Sequence, residues 1–281
     1  MKKVFLVLLL LIFCAGTGKG LYFLKNGFSP RRICSFNFYE EKTLSNQVEE
    51  ILSQPFHYLG RGRQCFAFSS EDGKYVLKLP RTDIYKLPFW AKVLPLSNLR
   101  KRMEADRTER REFILKSFQI ASEQLKDQTG IIAHHLGYSA PQNKKISLVD
   151  NLGVKHTLPL EKISFILQYK QPMLIPQFLS ALSDGNEENA KKILKALVNT
   201  ITERGKKGIL NRDRSFLRNY GYDGEKAYQI DIGSFYIRDC TDPYQKSVLD
   251  SIAPIEEWLA EKSPQMVDYL NKIHPFLSLS N

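Results

Sequence analysis

Ile209-Leu210-Asn211-Arg212-Asp213, then Asn219-Tyr220-Gly221, then Ala227-Tyr228-Gln229-Ile230-Asp231-Ile232-Gly233 form a run of polar residues delivered by short apolar segments. Ala227 to Ile230 reads as a strand that presents Asp231 at its end, and Gly224 marks the turn before it. Asn219 and Asp231 lie 12 residues apart and offer hard oxygen ligands suited to Mg²⁺. Far upstream stand a glycine loop, Gly60-Arg61-Gly62-Arg63-Gln64-Cys65, and a lysine in the strand Tyr75-Val76-Leu77-Lys78-Leu79. Glycine backbone can lie close to phosphates, and a lysine 16 residues after Gly62 can return across a hairpin to the same phosphates. Each motif alone is common; their order and spacing carry the information.

In that order the motifs resemble the protein-kinase-like superfamily, which includes protein kinases and small-molecule phosphotransferases. The resemblance runs from about residue 56 to about residue 236. It implies an α+β, two-lobed fold: an antiparallel sheet with one long helix in the first lobe, and a mostly helical, truncated second lobe. It also implies ATP and Mg²⁺ as cofactors. Asp231 and Asn219 then bind the metal, Asp213 is the catalytic base, and Lys78 and the backbone at Gly60 and Gly62 hold the phosphates. Ala67 and Val76 flank the adenine, and the hinge at Gln168 to Pro172, with Gln168 and Tyr169, meets its edge. Three departures from the family pattern stand out. Asn211 replaces the usual histidine of the catalytic loop, Ser215 stands where many kinases carry a lysine, and Asp213 and Asn219 are six residues apart instead of five. The spacing leaves two readings open, an active enzyme and a pseudokinase that binds nucleotide without transferring phosphate.

The first lobe begins near Pro55. Phe56 to Ser70 and Lys74 to Pro80 read as two strands joined by a tight turn at Asp72-Gly73. Alternation puts Val76 and Lys78 on one face of the second strand. A long helix is expected from about Ser97 to Lys126, with Phe113, Ile114, Phe118, Ala121 and Leu125 on its apolar stripe. Glu109, at the edge of that stripe, is the expected lysine partner. Ile131-Ile132, Ile146 to Val149 and Ile163 to Tyr169 read as further strands. A second helix opens at Asn186-Glu187-Glu188 and ends at Gly205 to Gly208; two more helices are expected near Pro243–Lys262 and Pro264–Ile273.

With 281 residues, 43% hydrophobic and 25% charged, the chain has the composition of an ordinary globular protein and is long enough for two lobes. The net charge of +11 is uneven: residues 1–120 carry 21 Lys/Arg against 11 Asp/Glu, residues 121–281 carry 20 against 19. That favours an anionic partner, nucleotide phosphate or an anionic membrane surface. No nucleic-acid-binding motif is present, so nucleic acid is not expected. Met1-Lys2-Lys3 followed by the apolar run Val4 to Ala15 makes residues 1–18 a signal peptide or signal-anchor. Lys19, Lys25, Arg31 and Arg32 follow it, which favours the anchor and a membrane-associated protein. The expected organisation is thus the leader, a basic tether over 19–54, a first lobe over 55–170 and a second over 171–281. Cys14, Cys34, Cys65 and Cys240 have no regular spacing and indicate neither a disulfide framework nor a metal site. Only 50 residues follow Asp231, without an Ala-Pro-Glu, so the resemblance implies a non-peptide or membrane-associated acceptor whose identity is unknown.

Overall fold

In the computed structural model the described residues are 26–274, apart from 34, 42, 94–96, 142 and 239–241, together with 20, 24 and 276. They form two compact units, one from Met1–Leu94 and Ile132–Lys170, the other from Pro95–Ile131 and Gln171–Asn281. The leader and three of the four cysteines lie outside the described residues, and among the described residues no helix is long and apolar enough to cross a membrane.

The first unit is built on a seven-stranded sheet in the order β4-β7-β3-β2-β1-β5-β6. Its strands are β1 (Pro55–Arg61), β2 (Cys65–Ser70), β3 (Tyr75–Pro80), β4 (Ile131–His135), β5 (Lys145–Val149), β6 (Lys155–Pro159) and β7 (Phe165–Tyr169). Side-chain alternation sorts the faces. Phe66, Phe68, Leu77, Leu79 and Leu167 are fully buried on one side, with Phe56, Ile146 and Phe165 in the same core. Burying each such side chain contributes roughly 1.5–3 kcal/mol. The sheet is mixed, which corrects the expectation of an antiparallel one. β1 pairs parallel with β5, from Pro55↔Ser147 to His57↔Val149, because the chain reaches β5 only after crossing the second unit. Phe56 to Ser70 is likewise a hairpin instead of one strand. Gly62 N–H donates to Cys65 O at 2.9 Å and turns the chain between β1 and β2.

The stretch read as a basic tether is part of this unit. Phe28, Ile33, Leu44, Val48, Ile51 and Leu52 join the core, the last three from the helix α1 (Asn46–Ser53), capped by Ser45. Val48, Ile51 and Leu52 make only one short apolar stripe within eight residues, too brief for periodicity to mark a helix from the sequence. A short helix, α2 (Phe89–Val93), ends the described part of this segment.

The second unit holds α3 (Ser97–Gln124), α4 (Lys126–Thr129), α5 (Leu174–Ser183), α6 (Glu187–Lys206), α7 (Pro243–Lys262) and α8 (Gln265–Ile273). Two small ladders complete it: β8 (Ile209–Asn211) with β11 (Phe235–Ile237), and β9 (Tyr220–Tyr222) with β10 (Ala227–Gln229). Helix α6 is central. Asn186 caps it, Glu187 and Glu188 favour its positive end, and Ile193, Leu194, Leu197, Val198 and Ile201 bury one stripe against α5, α7 and α8. The long helix α3 starts at Ser97 as expected but ends at Gln124, before Leu125, and its buried stripe runs through Ile114, Phe118 and Ala121; its compact neighbours are in this unit, where it packs on β11 and α4.

Candidate functional site

In the first unit, strand register builds one chemical row. Gly60 stands opposite Ala67, Ala67 opposite Lys78, and Lys78 opposite Ile166. One step along, Ser69 is opposite Val76 and Val76 opposite Gln168. Directly opposed residues share a sheet face, so Gly60, Ala67, Val76, Lys78 and Gln168 all lie on the face away from the phenylalanine core. Gln168 is buried, while Tyr169 is exposed and packs its ring on Tyr75 at 5.8 Å. Neither Gly60 nor Gly62 has a positive φ, and a Cβ on Gly60 would meet nothing within 4 Å. The fold itself therefore does not demand glycine at Gly60, whereas close approach of a ligand to that backbone would.

In the second unit, the polar residues converge at one end of the β9–β10 ladder. Gln229 pairs with Tyr220, and the ladder continues by one bond, Ile230 N–H to Asn219 O at 2.8 Å. Asn219 and Asp231 thereby flank the same strand end. Asn219 is buried, and its Nδ2 donates to Asp213 Oδ2 at 2.9 Å. Asp213 Oδ1 accepts from Ser215 N–H at 2.8 Å, and Asp213 N–H donates to Asn211 Oδ1 at 3.1 Å. Asp231 is exposed, and its Oδ1 accepts the Gly233 N–H at 3.2 Å. With Nδ2 committed to Asp213, Asn219 keeps Oδ1 for a hard cation. Among the described residues no group of three His, Cys, Asp or Glu could hold a metal by itself. Asn219 and Asp231 fit Mg²⁺ that takes its remaining ligands from phosphates, the usual habit of that ion.

Four supports have no signature in the sequence. Ser117, fully buried on α3, donates its hydroxyl to Ile232 O at 2.7 Å and accepts from Phe235 N–H at 2.7 Å, which clamps the Asp-Ile-Gly turn. Arg212 lies over the Phe113 ring at 3.9 Å. Arg204 is buried beneath the ladder and donates to Tyr220 and Gln229. Burial raises the pKa of Tyr220 above that of an ordinary phenol, against the opposing pull of Arg204. Gly221 is required by close packing: a Cβ there would lie 2.4 Å from Gln171 Cβ. Such clamps have no periodic signature, since each depends on one small or charged residue meeting a distant turn. Glu109, the expected lysine partner, is exposed on α3 and makes no ion pair among the described residues.

No protein-family model matches the chain, and no curated protein matches it. In structure it is similar, at low sequence identity, to WbdD. The 2.2 Å crystal structure of WbdD matches with a TM-score of 0.41 and 17% identity, covering 78% of this chain and 46% of that one. WbdD with the kinase inhibitor LY294002 matches at 0.39 and 16%, over 77% and 45%. A third structure, of WbdD as a bifunctional kinase-methyltransferase, matches at 0.38 and 17%, over 75% and 42%. The chain spans less than half the length of these WbdD chains.

Proposed function

We propose that the protein is an ATP- and Mg²⁺-dependent phosphotransferase acting on a hydroxyl of a non-peptide or membrane-associated acceptor. The observation that carries this reading is the bond between Asn219 Nδ2 and Asp213 Oδ2, at the strand end that leads to Asp231. It joins the residues in base and metal-ligand positions despite their six-residue spacing. Mg²⁺, when bound with the nucleotide, neutralises charge on the phosphate oxygens. Asn219 and Asp231 hold it, and Asp213 accepts the proton of the attacking hydroxyl. Lys78 and the backbone at Gly60 and Gly62 hold the phosphates, Ala67 and Val76 flank the base, and Gln168 and Tyr169 meet its edge. Membrane association rests on the apolar run Val4 to Ala15 and the basic first half of the chain.

A second reading, a nucleotide-binding pseudokinase scaffold at the membrane, draws support from the same spacing and from the exposure of Glu109. Calorimetric titration of Mg·ATP into wild type, Lys78→Met and Asp231→Ala tests the shared nucleotide site. Each substitution should weaken binding at least tenfold or remove its Mg²⁺ dependence. Equal binding by all three proteins would overturn the assignment. Transfer of the γ-phosphate to an acceptor or to water then separates enzyme from scaffold.

A further inference from the structure

The second unit carries an apolar groove of about 510 Å³, within the roughly 300–1,000 Å³ range of small-molecule sites. Its apolar lining includes Ile175, Pro176 and Leu179 of α5, Trp258 of α7, and Leu217. Leu179 and Leu217, both in the lining, are each 42% exposed and offer apolar surface to a ligand. Trp258 is held from behind by Phe178 and Phe216, with ring centroids 5.9 and 5.6 Å away. Trp258 is thus packed against two aromatic rings of the same unit. The charged residues of the lining are both cations, Arg218 and Lys262. Lys262 Nζ lies 2.7 Å from Glu261, while Arg218 makes no ion pair among the described residues. Leu217 and Arg218 belong to the loop between Asp213 and Asn219 and immediately precede Asn219. One short loop therefore serves both the polar site and the groove.

Resting on the phosphotransferase reading, we propose that this groove binds an acyl chain of an anionic glycerophospholipid whose free headgroup hydroxyl is the acceptor. The chain lies against Leu179, Leu217 and Trp258, and Arg218 meets the lipid phosphate. Burial of apolar surface supplies affinity, and the cations supply selection for an anionic headgroup. The longer Asp213–Asn219 loop has a use in this arrangement, since it carries Leu217 to the groove and Arg218 to its rim. In the reaction the headgroup hydroxyl oxygen bonds to the γ-phosphorus of ATP, and the bond from that phosphorus to the β–γ bridging oxygen breaks. ADP leaves, and the hydroxyl proton passes to Asp213.

Trp90 and Trp258 are the only tryptophans of the chain, so Trp90→Phe makes Trp258 the sole indole reporter. Its fluorescence is followed as the full-length chain is titrated with dihexanoyl phosphatidylglycerol below its micelle concentration. Dihexanoyl phosphatidylcholine, glycerol phosphate and an acidic peptide are the comparison ligands. The phosphatidylglycerol should give a saturable shift with at least tenfold higher affinity than the other three. Arg218→Gln should remove the preference over phosphatidylcholine, and Leu179→Asn should weaken both lipids. Equal affinity for the two lipids, tighter binding of the peptide, no saturable shift, or indifference to both substitutions would overturn the proposal. The titration needs no nucleotide, so a failure of Mg·ATP binding beside intact lipid selection strikes the phosphotransferase reading alone. Intact Mg·ATP binding with no lipid selection strikes the groove alone.

Discussion

Asn219 donates its side-chain amide to Asp213, Nδ2 to Oδ2 over 2.9 Å, across a loop one residue longer than the kinase-like pattern. Loop length and side-chain geometry are therefore separable. Asp213 N–H to Asn211 and Ser215 N–H to Asp213 turn the backbone tightly at the start of the loop, which ends at Asn219 just before β9.

If Asp213 is the base and Asn219 the metal ligand, their variants divide cleanly. Asp213→Asn should leave Mg·ATP affinity unchanged and lower turnover by about a hundredfold or more. Asn219→Ala should raise the Mg²⁺ concentration needed for half-maximal ATP turnover as well as slow it. Steady-state ATP hydrolysis across a Mg²⁺ series measures both. Wild-type turnover in Asp213→Asn removes that residue from the base role.

Ser117 couples α3 to the turn that presents Asp231, through bonds to Ile232 O and Phe235 N–H. Ser117→Ala leaves two buried backbone groups without this partner, at about 1–3 kcal/mol each. The variant should melt several degrees lower and show a raised Mg²⁺ requirement, because the Asp231 turn loosens. A variant with wild-type melting and metal response would show that the clamp is dispensable.

Burial holds the His274 pKa below its ordinary value of 6.5, and Nδ1 accepts the Phe276 N–H at 3.0 Å, a bond that needs the unprotonated nitrogen. The unfolded chain therefore binds the proton more readily than the folded one. The stabilising contribution is fully present above pH 6.5 and is lost as pH falls through 6.5 toward the depressed folded value. Urea unfolding at pH 7.5 and pH 5.5 should show a larger loss for wild type than for His274→Gln. Equal losses would rule out His274 as a source of the acid sensitivity.

Periodicity made the long elements legible. The stripe from Ile114 to Ala121 and that from Ile193 to Ile201 marked α3 and α6, because a helix must bury one face. In α7 the structure adds a cap the sequence analysis did not name, Asp242 accepting from Gln245 N–H ahead of Pro243. Pairing partners were less legible. Nothing local in Pro55-Phe56-His57 announces β5 as its parallel neighbour, and β6 with its Lys155-His156-Thr157 carries too little apolar character to read as a strand. The same limit hid α1, whose burial against the sheet is a tertiary event. At the candidate site, short motifs single out Gly60, Lys78, Asp213, Asn219 and Asp231 as residues to test. Ser117, Arg204 and Trp258 act by meeting residues far away in the chain, and so left no local pattern.

Arg204 offers the sharpest test of how the ladder beneath Asn219 is held. It is 1% exposed, and Nη2 donates to Ser251 Oγ at 2.6 Å while Nη1 reaches Gln229 Oε1 and the Tyr220 hydroxyl. No carboxylate forms an ion pair with it among the described residues, so its charge is balanced only by neutral acceptors. A buried charge costs several kcal/mol to desolvate, and hydrogen bonding must offset that cost. Lysine retains the charge but not the planar fork, and its compact ammonium is more strongly hydrated. Arg204→Lys should therefore destabilise the fold by about 3–5 kcal/mol, the loss seen when a buried charge is left uncompensated. Arg204→Met removes the charge together with its desolvation cost, leaving neutral groups short of partners, at about 1–3 kcal/mol. Methionine should thus be the milder change, although it is chemically the more distant one. Urea midpoints for both variants, with unchanged slopes, decide the order. If the methionine variant unfolds at lower urea than the lysine variant, the charge itself stabilises the ladder and its neutral surroundings have been misread.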